Sequence, residues 1–324
     1  MKSVLVLAGL SWLLASCAGL GISAEEAFSL GMAYYELGRY EDAERWLNRA
    51  RSRDKTKSAS EYNLGRIAFE RGRFTEAAEL FEGILEKDPL NIMALKAASY
   101  SRIKSGDLKK AEALYGRVLA LVPEDADEGY NYALVLYALE KYDEAEEVLG
   151  KRQFALLENG DFLLLYARVQ AALHKPEAVD SYDKWLMNNQ DPKVSYEYAG
   201  LLEKLDHYAR AIELYRDVIN TLPPDSADPP LGDVHFAAAR LLLIADGENP
   251  EGLEELSAAA GAGFGDREAL EDLLADERVN TEGREGIRRI LGGLEEAQGV
   301  NNAPPQPDQG EGAAEAGAEE AGAP

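Results

Sequence analysis

Cysteine is almost absent from this chain. Of 324 residues only Cys17 carries a thiol, so no disulfide can close within it. Histidine is nearly as scarce: His174, His207 and His235 are the only three, and no two stand at a spacing that suits a shared metal ion. Positive charge is in deficit, with 34 Lys and Arg against 59 Asp and Glu for a net charge of −25. Such a balance disfavours nucleic acid or anionic lipid as the main partner. The apolar run at residues 4–14 falls well short of the roughly 20 residues that a spanning helix needs. No glycine-rich loop follows a strand; Gly261-Ala262-Gly263-Phe264-Gly265 reads as the flexible end of a helix. With no Ser–His–Asp or Cys–His arrangement to argue from, no catalytic residue is assigned. No metal or cofactor is expected, and the chain is read as not an enzyme.

What the chain does contain begins with a processing segment. Lys2 precedes the apolar run, which ends in Leu14-Ala15-Ser16-Cys17, small residues ahead of a cysteine. This resembles a bacterial lipobox, in which the cysteine is lipidated and becomes the mature N-terminus. An ordinary signal peptide cut nearby, for example after Ala24, would instead discard Cys17; a sole cysteine at this one place favours lipidation. Residues 1–16 are then signal peptide and 17–23 a lipidated tether. The expected location is the outer membrane, facing the periplasm, held by more than one acyl chain as a lasting anchor requires.

Beyond the tether, hydrophobic residues make up 46% of the chain, enough for a real core. Residues 58–91 divide into two amphipathic segments. Leu64, Ile67 and Ala68 share one helix face, as do Ala77, Leu80, Phe81, Ile84 and Leu85. Gly72 interrupts the pattern, and Asp88-Pro89 closes it. One stripe on each of two helices cannot be buried by the pair alone, so copies are expected, and they recur. Ala43, Ala77, Ala111, Ala145, Ala178 and Ala211 follow one another at 34, 34, 34, 33 and 33 residues. Each stands near the start of a second helix, where a small side chain permits close approach. Leu30-Gly31 matches Leu64-Gly65, and Tyr40, Phe74, Leu108, Tyr142 and Tyr208 each precede the alanine by three. Pro89, Pro123 and Pro223 close three of the units.

This pattern resembles the tetratricopeptide repeat (TPR) family over residues 24–225, in six units. The resemblance implies an all-α, right-handed α-α superhelix (solenoid) of about six to seven TPR helix-turn-helix units with C-terminal capping helices. The fourth and fifth units, 126–158 and 159–191, are each one residue short and lack the closing proline. In the fifth, Leu173-His174-Lys175-Pro176 replaces the aromatic turn. Residues 226–264 read as a degenerate seventh pair, with helices at 231–245 and 250–260. Residues 265–298 read as capping helices with Asp266 and Thr281 as N-caps. From Gly299 to Pro324 the composition is that of a disordered acidic Ala/Gly/Pro/Glu tail, which serves as a solvated spacer rather than a docking motif.

A second stripe runs along the first helix of each unit, away from the intra-pair face. It comprises Phe28, Met32 and Tyr35; Tyr62, Arg66 and Phe69; Lys96 and Tyr100; Tyr130 and Tyr137; and Tyr196. In the TPR family this face lines a concave groove that takes an extended peptide or a partner helix, and aromatics with a few cations make good anchors. Burial between neighbouring helices is the competing reading; Arg66 and Lys96 weigh against it, being costly inside a core. The TPR subgroup that clamps a terminal carboxylate uses Lys and Asn here, and this chain has no Asn at these positions. The expected function is a membrane-anchored scaffold for a protein or peptide partner. The alternatives are an accessory lipoprotein of outer-membrane assembly and a small-ligand-handling partner of a periplasmic solute-binding protein.

Overall fold

The computed structural model describes residues 22–152, 155, 158–245 and 249–301. Cys17, the signal peptide, most of the tether and residues 302–324 of the tail lie outside them. The described residues form sixteen helices and no strand. In chain order they are α1 (Ala24–Glu36), α2 (Tyr40–Ala50), α3 (Asp54–Glu70), α4 (Phe74–Leu85), α5 (Ile92–Lys104), α6 (Leu108–Leu121), α7 (Ala126–Ala138) and α8 (Tyr142–Gly150). There follow α9 (Gly160–Ala172), α10 (Glu177–Leu186), α11 (Pro192–Lys204), α12 (Tyr208–Thr221), α13 (Leu231–Ala245), α14 (Pro250–Gly261), α15 (Arg267–Ala275) and α16 (Thr281–Asn301). The chain forms two compact units: α1–α10 belong to Met1–Asn189 and α11–α16 to Gln190–Pro324.

Within each pair the recurrent alanine does what its size allows. All six, from Ala43 to Ala211, are fully buried. The matching small residue on the facing helix is glycine in the first two pairs, and the approach there is close. A Cβ on Gly31 would lie 2.7 Å from Leu47 Cγ, and one on Gly65 would lie 2.7 Å from Phe81 Cε1. The turns between paired helices share a second device. Gly38, Gly72 and Gly106, then Glu140, His174 and Asp206, all hold positive φ. Each is the left-handed residue of a Schellman turn. After α3, Gly72 N–H donates to the Phe69 carbonyl at 2.9 Å and Arg73 N–H to the Ala68 carbonyl at 2.8 Å. Glycine adopts this geometry without a Cβ clash, whereas Glu140, His174 and Asp206 adopt it at a cost.

The cores of unit 1 are shared between successive pairs. One joins Ala68, Phe81 and Ile84 to Leu95, Ala98 and Val118, so α3–α4 and α5–α6 bury a common set. Ion pairs repeat along the same direction. Glu44 meets Arg73, Glu112 meets Lys141 and Glu146 meets Lys175, each pair separated by 29 residues. Each joins the residue after the small alanine to the entry of the next unit's second helix. In unit 2, α13–α16 close around Phe236, Leu243, Leu256, Phe264, Leu270, Leu273 and Ile287. The last two helices thus cover the apolar side of α13–α14, as capping helices should.

Three sequence expectations need correction. α3 begins at Asp54, four residues before the expected start of its unit at Ser58. Thr56 there is buried and donates to the Ala50 carbonyl at 2.6 Å, which anchors the extra turn. At α16 the side-chain cap is Asn280, whose Oδ1 accepts from Gly283 N–H at 2.8 Å. Thr281 is the first helical residue, in keeping with the preference for Asn over Thr at such sites. Finally, α16 runs to Asn301, past Gly299, where the tail was expected to start.

Candidate functional site

The stripe on the first helices is partly embedded, for a reason visible at Gly65. Phe81 of α4 lies across α3 at the notch that Gly65 leaves. Tyr62 stands one turn earlier on the same face, so its ring meets Phe81, with centroids 5.3 Å apart. The sequence expectation that Tyr62 points away from the intra-pair core is therefore corrected: its ring packs against the second helix of its own pair. Phe69 is held likewise, edge-on to Phe74 at 5.1 Å.

The structure brings together the stripes of α1, α3 and α5. Arg66 Nη2 donates to the Tyr35 hydroxyl at 2.9 Å, and its guanidinium carbon lies 4.6 Å from the Tyr35 ring centroid. Phe69 meets Tyr100 at 5.5 Å. Between α3 and α5 these side chains leave an open cleft of about 160 Å³, walled by Tyr62, Arg66, Phe69, Phe81 and Tyr100 with Glu70 at one edge. Ala97 and Ser101 complete it. The sequence reading missed Ala97, Ser101 and Glu70. Their only signal was small size or charge beside the aromatic column, which is no signal without knowing how α3 meets α5. Tyr100 remains 40% exposed, so the cleft presents an aromatic face to water.

Other members of the stripe have different surroundings. Phe28, Met32 and Tyr35 pack against the core of Ala43, Leu47, Leu64 and Ile67. Lys96 is not an isolated cation: its Nζ lies 2.6 Å from Asp125 and 3.3 Å from Glu128. The hydrogen bond to Asp125 raises the ammonium pKa above its ordinary value, and the same bond lowers that of the Asp125 carboxyl. Glu128 moves the other way, since burial raises its carboxyl pKa more than Lys96 lowers it. Tyr130 meets Phe162 at 5.0 Å and Tyr137 meets Tyr142 at 5.4 Å, both within unit 1. Tyr196 belongs to unit 2, where it meets Tyr215 at 5.7 Å.

Among the described residues no group of His, Cys, Asp and Glu is arranged to hold a metal ion. His235 Nδ1 lies 2.5 Å from Glu255 Oε2, while His174 and His207 are exposed residues at turns. No described helix is long and apolar enough to cross a membrane.

Comparison with known proteins agrees with this construction. Two family models, both tetratricopeptide repeat, match residues 28–92 and 102–154. An uncharacterized lipoprotein of Treponema pallidum (strain Nichols) is 26% identical over 147 residues, which span 45% of this chain and 75% of the relative. Among solved structures, a tetratricopeptide repeat protein of Parabacteroides merdae ATCC 43184 superposes over 78% of this chain and 98% of its own, with TM-score 0.53 and 20% identity. YrrB, a TPR protein with an unusual peptide-binding site, covers 60% of this chain and 98% of its own, with TM-score 0.50 and 21% identity. The all-helical pairs have the TPR architecture, and residues 28–92 and 102–154 are tetratricopeptide repeats.

Proposed function

We propose that this chain is a non-enzymatic scaffold, lipid-anchored through Cys17 on the exported side of a bacterial membrane, that holds a partner protein or peptide at the α3–α5 cleft. The observation that carries the reading is the cleft itself, with aromatic walls on two adjacent repeats and Arg66 at its rim. Aromatic side chains and arginine supply most of the binding energy at protein interfaces. At about 160 Å³ the space suits one inserted side chain. It is smaller than the roughly 300–1,000 Å³ of small-molecule sites, which favours a protein partner over a captured small ligand. Phe28, Met32, Tyr35, Lys96, Tyr130 and Tyr137 would extend the surface along unit 1, with Tyr196 a separate contact in unit 2. The lipoprotein of Treponema pallidum supports the anchor, and the peptide-binding site of YrrB is a precedent for the mode of recognition.

Arg66 and Tyr100 are both exposed members of the cleft, so they test it with little damage to the core. Arg66→Ala with Tyr100→Ala should lower partner retention on the membrane-bound protein by about tenfold or more, at about 1–2 kcal/mol per anchor. A matched melting midpoint shows that the variant is folded. Unchanged retention in the folded double variant would refute the assignment.

A further inference from the structure

The acidity of this chain is not uniform. Residues 45–57 hold six cations, Arg45, Arg49, Arg51, Arg53, Lys55 and Lys57, against one carboxylate, Asp54. They occupy the end of α2, the turn after it and the start of α3. Arg45 pairs with Asp42, Lys55 with Glu25 at 3.2 Å and Lys57 with Glu61 at 3.9 Å, yet Arg45 and Lys55 keep 77% and 81% of their side chains exposed. Arg51 and Arg53 are exposed with no carboxylate within ion-pair distance among the described residues. Trp46 stands on the same turn, with the Arg49 guanidinium carbon 5.8 Å from its ring centroid.

This cluster lies where the described chain begins. Arg49 Nη2 donates to the Ile22 carbonyl at 3.4 Å. An open cleft of about 710 Å³ between the start of α1 and the α2–α3 turn is lined by Arg49, Arg53 and Lys55 together with Glu25 and Asp54. Ile22 follows Cys17 by five residues, which can span at most about 17 Å at full extension. A lipid on Cys17 therefore holds Ile22, and with it the Arg49 guanidinium that it contacts, about two screening lengths or less from the bilayer surface at physiological salt.

We infer that the α2–α3 turn is a membrane-docking surface for anionic lipid headgroups, which fixes the orientation of the repeats on the bilayer. The inference rests on lipidation of Cys17. Because surface potential decays within a Debye length, the local cluster decides the interaction rather than the net charge of −25. A tryptophan beside arginines suits the interfacial layer, and a basic patch is the second signal that strengthens acyl anchoring.

The test uses the full chain with Cys17→Ser, so that no acyl group contributes, mixed with vesicles of phosphatidylcholine alone or with added phosphatidylglycerol. Binding is expected only to the anionic vesicles and is lost at ~1 M salt, where the screening length falls to about 3 Å. Removing Arg51, Arg53 and Lys55 together as serines should lower the partition coefficient about a hundredfold, from about 1 kcal/mol per basic residue near an anionic surface. Lys104→Ser, Lys109→Ser and Lys110→Ser together should leave it unchanged. Equal partition onto both vesicle types, no binding at all, or equal losses in the two triple variants would overturn the inference; a patch built for an acidic protein would leave the bare vesicles unbound. The anchor is read separately in cells. After a wash at ~1 M salt, Cys17→Ser should leave the membrane fraction; retention through that wash would refute lipidation without bearing on the vesicle result.

Discussion

A methyl group on Gly65 would lie 2.7 Å from Phe81 Cε1, so the first helix of this repeat and the ring of the second meet with no room for a side chain between them. The contact sets how closely α3 and α4 pack and, through Phe81, where Tyr62 rests.

Gly65→Ala therefore sets two effects against each other. Helix propensity favours alanine by roughly 0.5–1 kcal/mol, while overpacking a tight core costs about 1–3 kcal/mol. Overpacking wins, and the variant should unfold at lower denaturant concentration than the parent. Gly83→Ala, in α4 with nothing within 4 Å of the added Cβ, gains the propensity alone and should unfold later. Chemical denaturation of both variants checks the pair; stabilisation by Gly65→Ala would contradict the packing described.

The left-handed turn residues offer a second contrast. Glu140 holds φ of 59° at the position where Gly72 holds 73°. Glu140→Gly removes a Cβ from a conformation that costs about 1–2 kcal/mol for a side-chain-bearing residue, offset in part by the entropy that glycine loses on folding. A rise of a few degrees in the thermal midpoint is expected. A fall would show that the Glu140 side chain contributes more than its backbone costs.

The pairing of Lys96 predicts a pH signature. Asp125 has its folded pKa lowered, so its contribution is present above the ordinary carboxylate range and is lost as pH falls through the lowered value. Lys96 has its folded pKa raised, so its contribution is present below the ordinary lysine range and is lost as pH rises through the raised value. Glu128, raised mainly by burial, works in the opposite sense to Asp125: its contribution is present at low pH and is lost as pH rises through its folded value. Lys96→Met should thus be less stable than the parent near neutrality, with the gap narrowing toward both acid and alkaline pH. The neutral gap should not exceed about 1 kcal/mol, because 32% of the Lys96 side chain stays in water. Denaturant titrations at several pH values would show it; a gap independent of pH would mean that the ion pair is not its source.

Much of the architecture is legible in the sequence because it depends on residues that recur. The alanine column, the Leu-Gly pairs and the turn at Gly72 each carry a steric requirement that repeats at intervals of 32 to 34 residues. The site is less legible because it depends on how one repeat meets the next. Tyr62 and Phe69 share a helical face with Arg66, yet the notch at Gly65 draws Phe81 under Tyr62 and makes that ring part of the packing. Lys96 read as a cation in a groove because Asp125 and Glu128, 29 and 32 residues later, become its neighbours only through superposition of repeats. The ladder of Glu44, Glu112 and Glu146 with Arg73, Lys141 and Lys175 is hidden similarly, because partners 29 residues apart meet only where one repeat stacks on the next.

The central claim, that the α3–α5 cleft receives a partner, is tested most directly by a photo-crosslinking residue placed at Tyr100 of the membrane-anchored protein in cells, with the same group at Lys109 on α6 as reference. The cleft account predicts a discrete crosslinked protein from position 100, weak or absent from position 109, and lost when Arg66 is replaced by alanine. Equal products from both positions, or a product from position 100 that survives Arg66→Ala unchanged, would contradict it.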